Sequence, residues 1–250
     1  MLTFLEHVNK KNFQKKLLDQ YGKYKVFLVN GEAVRNSSPA AEEFGGSSTY
    51  CFIPSLIPKN EIWIEDDVKP EEQKILIATA LYQVKHTEHG DNAKKVYERG
   101  VIKEKDYRDS KCLSQKHPEG TDKKASVKVY VRKYGHIKDE NIDVWLVDGE
   151  EVRNRCKTDF IEGGHGYVYS WVPNDEIWLE LGPHTNKEGP FILIHEYVER
   201  ILMKYKKTKY DAAHKIAAKV EFSMRPDKLS KQEALALTKE KALALAKQYS

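Results

Sequence analysis

Cysteine is scarce in this chain. Cys51, Cys112 and Cys156 are three in number, scattered and never in CxxC spacing, which argues against a disulfide framework or a cysteine zinc site. Long apolar runs are missing too, and none approaches the roughly 18 residues that a membrane span needs. The opening MLTFLEHVNKKNFQ has no charged segment leading into an apolar one, so no secretory signal is readable. The expectation is a cytoplasmic protein with free thiols and no membrane partner. Charge of one sign is also lacking: 42 basic residues are interleaved with 38 acidic ones for a net +4, too mild to imply nucleic acid by itself. There is no GxxxxGK[ST] phosphate loop, no GxSxG elbow and no GxGxxG after a strand, so nucleotide-loop, serine-nucleophile and dinucleotide chemistry find no support.

What the chain does have is a repeat. VFLVNGEAVRN, Val26 to Asn36, matches VWLVDGEEVRN, Val144 to Asn154, at eight of eleven positions. Each is followed by a GG pair (Gly45-Gly46, Gly163-Gly164), then by IPKNEIWIE or VPNDEIWLE, then by ILI (Ile75 to Ile77, Ile192 to Ile194). A period this long describes tandem domains rather than a solenoid, and 250 residues suit two domains.

Asn30-Gly31 and Asp148-Gly149 lie between β-rich runs and are dipeptides that two-residue hairpin turns select. EIWIE and EIWLE alternate as strands, whereas Phe191, Ile194, Val198, Ile201, Leu202 and Tyr205, then Ala213, Ile216, Ala217 and Val220, follow helical spacing. These patterns predict an α+β fold of two tandem homologous domains, each a small antiparallel sheet with a helical hairpin. Thr3 with Glu6 predicts a capped N-terminal helix reaching about Tyr21. Ser230 predicts a cap for a C-terminal helix whose Ala/Leu stripe docks on the body or on a partner. The expected divisions are an N-terminal helix over 1–24, a first repeat over 25–102, a linker over 103–125, a second repeat over 126–226 and the C-terminal helix over 227–250.

The repeats differ in their polar residues. Aligned on ILI, His195 stands opposite Ala78, Glu196 opposite Thr79, Glu199 opposite Tyr82 and Arg200 opposite Gln83; aligned on GG, His165 stands opposite Ser47. The first copy forms its helix without this set. On a helix His195 and Glu199 share a side one turn apart, and a chain reversal near Lys206 and Lys207 brings His214 level with them. All three could converge on one ion between the two helices, and His165, with glycines on both sides, can present its side chain into a cleft.

HExxE with a downstream histidine resembles the gluzincin metallopeptidases over residues 190–222. In that family HExxH supplies two ligands and a general base, and the next helix supplies a glutamate. The resemblance implies a metal-dependent hydrolase in which the second and third ligand types are exchanged: His195, Glu199 and His214 would hold zinc or another divalent metal, Glu196 would be the base, and His165 a fourth ligand or an oxyanion donor. The second copy as a whole, with its GGH, EIW, HExxER and YxxAH pattern, is also similar to an uncharacterised domain of phage and microbial genomes, which implies no activity.

Other readings stay open. His195 with Glu199 and Glu196 with Arg200 have the spacing of helix-stabilising pairs, and a metal could brace the hairpin without chemistry. The protein is then a non-enzymatic binding or scaffold protein, with a protein or nucleic-acid partner or self-association through the C-terminal helix. MKYKKTKY, Met203 to Tyr210, and the lysines Lys10, Lys11, Lys15 and Lys16 are the features that suggest nucleic acid.

Overall fold

The computed structural model describes residues 13–38, 40–41, 44–110, 129–156 and 159–250. The chain divides into two compact units, Met1–Gln115 and Lys116–Ser250. The first contains β1 (Lys16–Tyr21), β2 (Tyr24–Val29), α1 (Gly31–Arg35), β3 (Ser47–Thr49), β4 (Glu61–Glu65), α2 (Pro70–Glu88) and α3 (Ala93–Ser110). The second repeats this order with β5 (Tyr130–Ile137), β6 (Ile142–Val147), α4 (Gly149–Arg155), β7 (Gly163–His165), β8 (Glu176–Glu180), α5 (Thr185–Lys206) and α6 (Tyr210–Met224), then adds α7 (Lys231–Leu235) and α8 (Lys239–Lys247). The fold is α+β, with two similar sheet-and-helix units.

The sheets are mixed rather than antiparallel. Their orders are β1-β2-β4-β3 and β5-β6-β8-β7, and the central pairs β2/β4 and β6/β8 run parallel. The reason lies in the NG and DG dipeptides, which are not hairpin turns. Asn30 and Asp148 cap α1 and α4, their side chains accepting from the amides of Ala33 and Glu151. Each short helix begins a crossover that returns the chain parallel to its start. Helix caps and type I′ turns favour the same residue types, so the dipeptide alone does not separate them.

The following glycine serves a close approach. A Cβ on Gly31 would lie 1.9 Å from Glu65 Oε1, and one on Gly149 would lie 2.1 Å from Glu180 Cδ. Those carboxylates pair with Arg35 and Arg153, each at 2.8 Å, and the same arginines donate to the carbonyls of Phe44 and Phe160. In both EIW segments the indole N–H donates to the glutamate two residues back at 2.7 Å. The motifs that reveal the duplication are therefore frame.

The true hairpin of the first unit turns at Gly22, where φ is +60°, and joins β1 to β2 in antiparallel register. An N-terminal helix reaching Tyr21 is thus overturned over 16–21; residues 1–12, with Thr3, Glu6, Lys10 and Lys11, lie outside the description. The expected linker is also corrected, because α3 continues through Lys103 to Ser110. At the C-terminus one helix becomes two. Ser230 and Glu233 form a capping box on α7, and Thr238 caps α8.

In the second unit the sheet is buried on both faces. Ile142, Val144, Leu146, Ile177 and Leu179 meet Leu193, Tyr197, Ile201, Ala217 and Val220 of the α5–α6 hairpin, while Val147, Val152, Phe160, Val172 and Trp178 form the opposite layer. The C-terminal Ala/Leu stripe belongs to the first of these cores, with Ala234, Leu237, Ala242 and Ala246 buried in it. It docks on the body of its own unit. No helix of the described residues is long and apolar enough to cross a membrane.

Candidate metal centre

The α5–α6 hairpin reverses at Lys207, a left-handed residue with φ 54°, and this places His214 beside the α5 face that carries His195 and Glu199. Strand β7 delivers His165 to the same place from the sheet. Its register differs from the GG alignment. Gly163, Gly164 and His165 pair with Leu179, Trp178 and Ile177, just as Ser47, Ser48 and Thr49 pair with Ile64, Trp63 and Ile62. His165 therefore stands opposite Thr49, not Ser47. The first unit has a glycine, Gly46 (φ 61°), at a left-handed position where the second has Glu162 (φ 62°), so the glycine pairs are not equivalent.

Three ligand atoms converge. His195 Nε2 lies 2.9 Å from His214 Nδ1, His214 Nδ1 lies 2.9 Å from Glu199 Oε2, and His195 Nε2 lies 3.8 Å from that oxygen. The circle through these atoms has a radius of about 1.9 Å, close to the roughly 2.0 to 2.2 Å bonds that zinc makes to nitrogen and oxygen. His195, Glu199 and His214 could thus hold a metal ion, as could His165, Glu196 and Glu199. His195 and Glu199 are buried, and the side chain of His214 is 26% exposed, so the open edge lies along His214 and Tyr210, whose ring stacks on it at 5.3 Å.

Behind His195 stands a residue that motif reading missed. Glu221 Oε2 lies 3.1 Å from His195 Nδ1. Its other oxygen pairs with Arg225, which reaches Glu188 at 3.1 Å. A carboxylate accepting from Nδ1–H leaves the lone pair on Nε2, the tautomer a metal ligand needs. The first unit has a matching clasp: Arg108 pairs with Glu72 at 2.9 Å and with Glu104 at 2.7 Å. Glu104–Arg108 and Glu221–Arg225 share their spacing and recur one repeat period apart, a signal that could have found them.

The two glutamates of HExxE differ in charge. Burial would raise the Glu199 carboxyl, but the nitrogens of His165, His195 and His214 reverse this and hold it far below the usual carboxylate range. Burial, reinforced by the nearby Glu199 charge, pushes Glu196 up to about 8. The i,i+4 pair of Glu196 with Arg200 is not among the ion pairs of the described residues; Arg200 instead donates to the Asn174 carbonyl and lies over the Tyr167 ring. Glu196 sits over β7, where a Cβ on Gly163 would come within 3.0 Å of its Oε1.

His165 is fully buried. The Tyr167 amide donates to its Nδ1 at 3.2 Å, which leaves the ring proton on Nε2. That nitrogen is 3.0 Å from Glu199 Oε1, yet its N–H is not aimed along the line and forms no hydrogen bond there. Burial lowers the His165 pKa, against the pull of Glu199, and keeps the ring neutral.

The basic stretch that suggested nucleic acid is partly committed elsewhere. Lys204 and Tyr205 both bind Glu140, and Lys15 pairs with Glu61 at 2.5 Å. Searches of protein-family models, curated proteins and solved structures found no match to this chain.

Proposed function

We propose that the second unit is a metal-dependent hydrolase in which a divalent ion, zinc foremost, is held by His195, Glu199 and His214. The observation that carries this reading is the convergence of two imidazole nitrogens and one carboxylate oxygen, with Glu221 fixing the His195 tautomer. A two-nitrogen, one-oxygen set with a fourth position open is a catalytic arrangement for zinc. Such an ion supplies a water of lowered pKa and polarises a carbonyl or similar group.

The surrounding residues support the same chemistry. Glu196, without an ion pair to Arg200, holds a proton in the metal-free chain; a cation bound beside it would favour the carboxylate, which is placed to accept a proton from water and pass it to a leaving group. His165 offers a neutral Nε2–H without a formed bond, suited to a developing oxyanion better than to a fourth ligand position. Metal analysis of the purified chain tests the reading. Bound zinc, manganese or iron that is lost in His195→Ala and Glu199→Gln supports it; absence of metal, with none taken up, ends it.

A second reading is an ion that only braces the hairpin, favoured by the burial of Glu199 (2% exposed) and His195 (8%). It predicts that metal removal lowers stability and that the metal-loaded chain shows no hydrolysis for Glu196→Gln to abolish.

A further inference from the structure

Glu199 turns its two oxygens to different partners. Oε2 faces His195 and His214, while Oε1 faces His165. The second potential ligand group, His165, Glu196 and Glu199, has its ligand atoms within 4.8 Å of one another, and all three residues are buried. The groups share only Glu199.

We infer that this unit binds two divalent cations bridged by the Glu199 carboxylate, the second on Glu199 Oε1, His165 Nε2 and a carboxylate oxygen of Glu196. The inference rests on the reading of the first ion given above. Three observations carry it. His165 Nε2 is wholly buried, and its contact with Glu199 Oε1 at 3.0 Å is an ion-pair approach rather than an aligned hydrogen bond, where buried polar nitrogens ordinarily have a well-formed one. Glu196 is 9% exposed and has no ion-pair partner among the described residues, although buried carboxylates usually pair with a base or a metal. Gly163 places no side chain where Glu196 crosses β7. A bridging carboxylate also suits the roughly 3.5 to 4 Å separation of two-metal sites.

The two positions are unequal. His195 is pre-oriented by Glu221, whereas the Nδ1 of His165 receives the Tyr167 amide. Coordination through His165 Nε2 moves the ring proton to Nδ1 and opens that contact. Since a supporting partner on the ligand histidine is worth about 10- to 100-fold in affinity, the second ion binds more weakly by about that factor. The singly loaded form keeps Glu196 as proton acceptor; in the doubly loaded form Glu196 holds the ion instead.

Zinc titration of the chelator-stripped full chain, followed by calorimetry and by metal content under native mass spectrometry, tests this. Two equivalents are expected in separate steps. Glu196→Gln and His165→Ala should each retain the tight equivalent and lose the weak one, while His214→Ala loses the tight one. Glu196→Gln is nearly isosteric and keeps the test open if His165→Ala does not fold. A single equivalent in the parent chain overturns the inference and leaves the one-ion reading standing. No equivalent overturns both. Two equivalents of which the weaker is indifferent to Glu196→Gln also overturn it.

Discussion

Glu104 and Glu221 do the same work in the two units, each paired with the arginine one helical turn later, and Glu221 also meets a histidine, His195, 3.1 Å from its second oxygen. Substitution of this pair separates frame from site. Glu221→Gln is expected to weaken metal binding about 10- to 100-fold, read by competition with a chromophoric chelator. Glu104→Gln should leave metal affinity unchanged and show only in the melting temperature.

Loading the first ion should stabilise the protein. At free metal 100 times above the dissociation constant, the gain is about 2.7 kcal/mol, seen as a rise in melting temperature that chelation reverses. Glu199→Gln should abolish the rise, because Glu199 joins the two helices through His214 at 2.9 Å.

Glu196 should contribute a loss of stability to the metal-free protein as pH rises from 5 to 8, opposed below about pH 6.5 by His165, whose pKa burial lowers. Glu196 is raised from 4.5 to about 8 in the fold, so across that window the folded state retains a proton that the unfolded chain has released. Its contribution is fully present below the unfolded value and lost as pH climbs through the folded one, a change of roughly 2 to 4 kcal/mol. Glu199, shifted the other way, acts below pH 4.5 and is flat across this range. Thermal melts of chelated parent and Glu196→Gln should differ in slope against pH, with the variant lacking this fall.

Gly163→Ala and Gly164→Ala should part company. The first puts a methyl 3.0 Å from Glu196 Oε1 and from Ile192 Cγ2, while the second puts one 2.6 Å from the Tyr169 ring. Gly163→Ala is expected to fold and, on the hydrolase reading proposed above, to lose about tenfold in turnover through displacement of Glu196. Gly164→Ala should be the less stable of the two in denaturant titration, by about 1 to 3 kcal/mol.

Much of the fold was legible because frame residues repeat: Arg35 with Arg153, Glu65 with Glu180 and Trp63 with Trp178 occupy matching sites, and their contacts demand those residue types. The helical hairpin showed in its apolar periodicity. Strand β1 did not, since all six residues are exposed and its definition comes from pairing with β2. The grouping of His195, Glu199 and His214 could be read from helix geometry and a reversal near Lys207. Two things could not. The register of His165 depends on sheet pairing, which glycine-based alignment misplaced by two residues, and the role of Glu221 depends on an interhelical contact 26 positions away in sequence.

The arginine clasp recurs in the first unit around Glu72 and Glu104, where Ala78, Thr79 and Tyr82 stand at the positions of His195, Glu196 and Glu199. The side chains proposed to grip an ion are passengers on a chassis that closes without them. On that reading they can be exchanged while the domain keeps its shape, which makes the second unit a natural place to retune what the cluster holds.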